Sequence, residues 1–423
     1  MHLTEQHIIK RDDPRFSVLD NACFLSKNLY NAGLYEMRQH FFATDKSYSY
    51  SELDKLMQSN PDYRALPSKV SQQILSQVCE AWSNHWASRR KFKQDVTGYK
   101  GKPRLPHYKD KTNGRNQLIY TDQAISKRAL AKKGEIVPSK LGISVKTDKT
   151  EIDQVRIIPK KTHYVVEIVY SIEMQIASPD PNRIASIDLG VDNLATVTTN
   201  QPNVNPLLVN GRPLKSINQF YNKRMADLRS RLPKGHYYSA QMGRLTDKRN
   251  NCIKTRMHKD SLRIVQFLEQ HKIGILVIGK NDGWKQEVEL GKVNNQHFVQ
   301  IPHAQFVAML TYKAQMRGIE VIFVNESYTS KCSFLDDEPV KKHKEYKGRR
   351  IHRGLFQASD GKLIQADVNG ALNIMKKALP NAFANGIEAL VVMPERVTLA
   401  EPRGKKQYKR RQMSGVYINV HKT

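Results

Sequence analysis

The chain has 423 residues, enough for two or three domains that each bury a core. Lys and Arg number 69 against 40 Asp and Glu, a formal net charge of +29, and only 39% of residues are hydrophobic. That excess repels itself unless a polyanion neutralises it, which points to nucleic acid. No apolar run has the length of a transmembrane helix, and "MHLTEQHIIKRDDPRF" lacks a signal-peptide core, so a soluble, intracellular protein is expected. Cys23, Cys79, Cys252 and Cys332 lie far apart with no CxxC pair, which argues against a disulfide framework or a zinc site.

Residues 16 to about 97 carry apolar side chains at spacings of three and four, with Pro67 and Ser68 as helix-start signals. The opposite faces hold Lys27, Arg38, Lys69, Gln72, Gln73, Arg89, Arg90 and Lys91, either as solvated surface or as a nucleic-acid contact. From "GYKGKPRLPHYKDK" the texture changes to Pro, Gly and charge. The runs "NQLIYTD", "LGISVKT", "QVRIIP" and "HYVVEIVYSIEM" then read as strands of a small antiparallel barrel or sheet ending near Glu173. "ASPDPNR", 177–183, reads as a linker.

The third segment opens with three strands, in "RIASIDLGVDNLATVTTN" and "PLLVNGRPLKS". A basic helical stretch follows from about Ser216 to Gln270, broken by "LPKGHYYS". After it come strand "KIGILVIG", helix "HAQFVAMLTYKAQMRG", strand "IEVIFVNE", an irregular basic loop and a final helix "DVNGALNIMKKAL". A continuous apolar run such as "IGILVIG" suits a strand covered on both faces. Three antiparallel strands followed by alternating helix and strand predict an α/β sheet of the ribonuclease H kind.

Alternation puts Ile184, Ser186, Asp188 and Gly190 on one face of the first of these strands. An acid in mid-strand is costly to desolvate unless a cation or donors compensate, and Gly190 would leave a ligand room. Asp367 stands at the start of the last helix, where an acid is also a favoured N-cap. If that helix crosses the first strand, two carboxylates converge and could bind Mg²⁺ through oxygen.

"SIDLGVDNLATV", "LVIGKNDGWKQ", "YKAQMRGIEVIFVNESYTSK" and "ADVNGALNI" resemble the split RuvC nuclease motifs of TnpB proteins, transposon-encoded relatives of the type V CRISPR effectors. "KGKPRLPHYK", "LPSKVSQQIL" and "HKDS" extend the resemblance over most of the chain. It implies a multidomain α+β protein: a wedge β-barrel over 1–15 and 98–178, an inserted helical recognition domain over 16–97, a RuvC-like nuclease domain over 183–380 and a basic tail over 381–423. It also implies an RNA-guided DNA endonuclease with a guide RNA from the transposon end, two Mg²⁺ ions and double-stranded target DNA cut beside a short motif. A monomeric ribonucleoprotein associated with the bacterial nucleoid is expected. Lys69, Gln72 and Gln73 match a family segment facing the target-adjacent duplex, and Lys109 is grouped with them as a nucleic-acid contact. Gln73, able to bond an adenine edge bidentately, is the candidate base reader, or an ordinary exposed helix residue. The tail "RGKKQYKRRQ", 403–412, is either a disordered basic end or an RNA contact.

The sequence departs from the family pattern twice. Where most members hold a zinc ribbon, residues 328–365 offer only Cys332 with His343 and His352, so no structural zinc and a loop held by packing are expected. Where the family usually places a glutamate after the fourth strand, this chain has Gly279. Two aspartates alone would bind a second ion poorly. Glu326 ends the neighbouring strand, about 4.8 Å away, and could reach over the glycine to complete a set of Asp188, Glu326 and Asp367. Its rivals are Asp282, Glu287 and Asp337. A guided DNA-binding repressor without cleavage and a guide-free, structure-selective nuclease are the competing readings.

Overall fold

The computed structural model describes residues 1–99, 101–173, 179–280 and 301–384, and then 386, 387, 390, 392 and 394–397. Asp282, Glu287 and the 403–412 tail lie outside the described residues. The chain divides into two compact units, with the boundary along the chain between Ile172 and Glu173.

The first unit starts with β1 (His2–Lys10), followed by four helices: α1 (Phe16–Thr44), α2 (Tyr50–Met57), α3 (Pro61–Arg64) and α4 (Ser68–Gln94). Their ends follow local chemistry. Asp45 closes α1 in the left-handed region at φ 56°, and Ser49 and Glu52 form a reciprocal capping box on α2. Beyond them lie β2 (Leu118–Thr121), α5 (Lys127–Lys133), the short ribbon β3 (Glu135–Ile136) and β4 (Val145–Lys146), then β5 (Gln154–Pro159) and β6 (His163–Ser171). Where a barrel or sheet was expected, the described strands form an open antiparallel sheet in the order β1-β6-β5-β2, with β3–β4 separate. Leu19, Leu34, Ile74 and Trp82 from the helices share one core with Leu118, Tyr120, Val155 and Ile168 from the sheet. Lys27, expected on a solvated or nucleic-acid-contacting face, is buried: its Nζ lies over the Phe24 ring and donates to the Lys111 carbonyl at 2.7 Å.

The second unit holds β7 (Asp180–Leu189), β8 (Asn193–Thr199), β9 (Leu207–Asn210), α6 (Arg212–Ser230), α7 (Ala240–Gln270), β10 (Ile273–Gly279), α8 (His303–Gln315) and β11 (Glu320–Val324). A ribbon follows, β12 (Arg349–His352), β13 (Leu355–Gln357) and β14 (Leu363–Gln365), then α9 (Ala366–Ala378) and β15 (Glu395–Val397). The main sheet runs β11-β10-β7-β8-β9-β15. Strands β7, β8 and β9 are antiparallel, while β10 and β11 are added in parallel after helices, as the strand pattern predicts. Central β8 is buried at every position and β10 at all but one, as strands covered on both faces require.

Two details differ from the expectation. Residues 180–182, read as linker, already belong to β7: Asp180 pairs with Ile273, and its N–H donates to the Lys272 carbonyl. The loop read as irregular contains an antiparallel three-stranded sheet, whose Phe356 and Ile364 pack with Phe334, Val368 and Leu372.

Candidate active site

Helix α9 lies on the face of the sheet that Ile184, Ser186 and Asp188 present. Ser186 Oγ donates to the Ala371 carbonyl at 2.6 Å, and Ile184 packs against Ile374 and Met375. At Gly370 an added Cβ would sit 2.8 Å from Asp188 Oδ2. The clearance beside Asp188 is therefore supplied by Gly370 and not by Gly190. A Cβ at Gly190 would instead meet the Asn193 carbonyl at 2.6 Å, so that glycine serves the β7–β8 turn.

Asp367 is in the first turn of α9 but does not cap it. Gln365 is the N-cap, its side-chain oxygen accepting the Val368 N–H at 2.7 Å. The Asp367 carboxylate accepts from Asn193 Nδ2 at 2.7 Å and lies 3.8 Å from the Arg350 guanidinium. Glu326 follows β11, whose Val324 is in register with Gly279. A Cβ at Gly279 would stand 3.1 Å from Glu326 Oε2 and 2.5 Å from Ile374 Cδ1, so the glutamate side chain lies over the glycine.

Burial pushes Asp188 well above the usual carboxylate range, and the charges of Glu326 and Asp367 raise it further, against the opposing pull of Arg350. Burial also pushes Glu326 up to about 7. The structure thus brings Glu326 and Asp367 each within electrostatic reach of Asp188. Such a group favours a bound cation, because like charges out of water are costly alone. Its all-oxygen donors suit Mg²⁺ or Mn²⁺ and not zinc. As they stand, no three acidic, histidine or cysteine side chains among the described residues form a ready metal cage.

Of the rival acids within the described residues, Asp337 has a 90% exposed side chain paired with Lys376. In the ribbon region, Cys332 is buried with Sγ 3.5 Å from the Pro339 and Lys341 carbonyls, while His343 bonds to the Pro339 carbonyl at 2.7 Å. Buried Glu338 organises this loop, accepting the Ser333 N–H at 2.7 Å and the Lys347 N–H at 3.1 Å. Asn369 and Asn373 bolt it to α9 by donating to the Cys332 carbonyl at 2.9 and 2.8 Å.

Residues 167–285 match the family OrfB_IS605, described as "Probable transposase", and residues 303–374 match the "Cas12f1-like, TNB domain". The chain is 25% identical over 390 residues to the TnpB-like protein ORF457 of Acidianus two-tailed virus, covering 84% of this chain and 82% of that relative. The chain is related to TnpB and Cas12f proteins.

A second relative, the CRISPR-associated endodeoxyribonuclease Cas12f2 of Micrarchaeota archaeon (strain CG1_02_47_40), is 26% identical over 233 residues; the match covers 52% of this chain but only 41% of that protein. A solved Cas12f1-sgRNA-target DNA complex is similar at 16% identity and a TM-score of 0.38, covering 89% of this chain and 100% of that one. Apart from residues 167–172, the two family matches fall on the unit that carries the carboxylates. Sequence reading missed Asn193 and Arg350, which hold Asp367. Neither has a local signal, since they come from the start of β8 and from the ribbon.

In the first unit, Lys69 is exposed, and Gln72 and Gln73 are half-buried on α4. Gln73, Gln77 and Asn84 fall on one side of α4 by helical spacing. Gln77 and Asn84 line a polar groove of about 400 Å³ with Tyr30, Lys109 and Arg115. The Lys109 ammonium lies 4.6 Å over the Tyr30 ring, and its backbone N–H donates to Asn31 Oδ1 at 2.9 Å, so it anchors the 109–116 strap.

Proposed function

We propose that the chain is an RNA-guided DNA endonuclease of a transposon, which hydrolyses target DNA beside a short motif. The observation that carries this reading is the electrostatic convergence of Asp188, Glu326 and Asp367, with Glu326 lying over Gly279. In this reading residues 183–380 form a RuvC-like nuclease domain, and residues 1–178 hold a wedge with a helical recognition insert. Bound divalent ions would supply a polarised phosphate and an activated water. Asp188, Glu326 and Asp367 would hold them. Asn193 orients Asp367, and Arg350 balances the acids before substrate arrives. Lys69, Gln72, Gln73 and Lys109 would contact nucleic acid, Gln73 reading a base edge and Lys109 through its backbone strap. Similarity to a CRISPR-associated endodeoxyribonuclease supports a DNA target, and in this reading a guide RNA joins it in a monomeric ribonucleoprotein. Among the described residues no helix is long and apolar enough to cross a membrane.

The repressor reading drew its force from Gly279, and a glutamate lying over that position weighs against it. The test is cleavage of target DNA by the RNA-bound Glu326→Gln protein, with Mg²⁺ present. Retained RNA and DNA binding with cleavage lower by orders of magnitude is expected. Parent-like cleavage would move the third acid elsewhere, and a parent protein that binds but never cuts would restore the repressor.

A further inference from the structure

The hairpin of α6 and α7 carries a feature that the carboxylate site does not use. A groove of about 340 Å³ runs between the two helices, lined by Ile217, Phe220, Tyr221 and Leu245 with Lys248 and Arg249 at its rim. Phe220 is 64% exposed, which leaves a ring face open to solvent. Its neighbour is built in: Tyr221 packs beside Met225, Leu228 and Met242, and its hydroxyl pairs with Thr246 Oγ1 at 3.2 Å. Arg249 lies 5.6 Å over the Tyr221 ring and is held there by donating to Asn218 Oδ1 at 2.8 Å. The groove therefore combines one fixed aromatic, one open aromatic and two cations. The helices around it carry twelve Lys and Arg against four Asp and Glu.

We propose that this groove binds an unpaired nucleotide of the bound RNA, stacking the base on Phe220 while Lys248 and Arg249 meet its phosphates. A planar base suits an aromatic slot, and the surrounding charge complements a polyanion and opposes a second basic copy of this chain. Single-stranded RNA is the occupant, because a paired base keeps its faces stacked inside its own helix. The inference rests on RNA binding, one part of the proposed function, and adds a site remote in sequence from the three acids.

Cys252 lines the same groove and is exposed, whereas Cys23 and Cys332 are buried and Cys79 is half-buried. It reports on occupancy. Maleimide labelling of Cys252, followed by peptide mass spectrometry, is compared in the copurified RNA complex and in protein freed of RNA. Labelling in the complex should slow by about tenfold or more, and Phe220→Ala should weaken RNA binding by roughly five- to a hundredfold, as loss of one stacked base does. Phe220→Trp should restore both. Because Phe220 is largely exposed, its truncation leaves the fold intact, which a thermal melt of the variant checks.

Equal Cys252 labelling with and without bound RNA, or parent-like RNA affinity of Phe220→Ala, overturns the groove and leaves RNA binding standing. Failure of the parent protein to bind RNA at all overturns both. If Cys252 is already protected in RNA-free protein and Phe220→Ala exposes it, a segment of this chain covers the groove. If Phe220→Ala instead converts a dimer to a monomer in light scattering, a second copy does. Either result also overturns the proposal.

Discussion

Gly370 is the residue on which the site's geometry turns. Alanine in place of a helix-interior glycine ordinarily stabilises by about 1 kcal/mol. Here the added Cβ would lie 2.8 Å from Asp188 Oδ2, so the carboxylate must move. Gly370→Ala is therefore expected to keep or raise the melting temperature and to leave RNA binding intact. DNA cleavage should fall by roughly tenfold to a hundredfold, the effect of misplacing a reacting group by a fraction of an ångström to an ångström. Full activity in Gly370→Ala would show that Asp188 can be displaced without consequence. The position is invisible in sequence, because "VNGALNI" marks Gly370 as a weak helix residue and says nothing of the aspartate, nearly two hundred residues earlier, that it clears. Gly279 was legible for the opposite reason. It stands where a resemblance leads one to expect a side chain, and the neighbouring strand supplies that side chain by ordinary strand spacing.

At the scale of elements, two polar anchors hold loops to helices. Glu338 sits in the loop where no zinc was expected and gathers two backbone N–H groups from opposite sides of it. Buried charge-assisted bonds of this kind contribute about 1.5–3 kcal/mol each, and a donor stranded by their loss adds to the cost. Glu338→Ala should lower the melting temperature measurably, while a zinc chelator should leave the parent unchanged. Loss of stability on chelation would overturn this account of the ribbon. In the first unit, Arg115 grips Asp20 with bonds of 2.9 and 2.7 Å, and Tyr164 donates to the same carboxylate at 2.7 Å, tying α1 to β6 and to the strap before β2. The Arg115 guanidinium holds the Asp20 carboxyl below its usual range, burial opposes it, and the Tyr164 hydroxyl adds to the lowering. A depressed carboxylate contributes stability that is complete above its unfolded pKa and is lost as pH falls through the folded one. Asp20→Asn should thus melt below the parent at neutral pH, with the gap closing in acid. A gap that stays constant with pH would mean that packing, and not charge, carries the effect.

For the whole molecule, the net charge of +29 sets how it meets its partner. Neutralising phosphates releases counterions, so RNA affinity should fall linearly with salt on logarithmic axes. If about six phosphates are engaged, the loss between roughly 50 and 200 mM salt is on the order of a thousandfold. Filter binding across that range checks it, and a flat response would assign recognition to uncharged contacts. Charge alone does not place those contacts. Lys27 belongs to the same basic count yet is buried against Phe24 and the Lys111 carbonyl, where it braces the fold.

The sequence by itself pointed to a polyanionic partner, through its charge, and determined the strand and helix order of the second unit, through apolar runs whose local period survives folding. It also marked Asp188 and Asp367 as carboxylates placed where burial or capping had to be explained. What only the tertiary structure decided depends on residues distant in the chain. The open sheet of the first unit, the ribbon within 328–365, the use of Gln365 and not Asp367 as the α9 cap, and the grip of Asn193 and Arg350 on Asp367 all belong here. Backbone pairing beyond neighbouring strands, and hydrogen bonds made across the sheet, depend on which surfaces meet. No period or spacing along one segment records that.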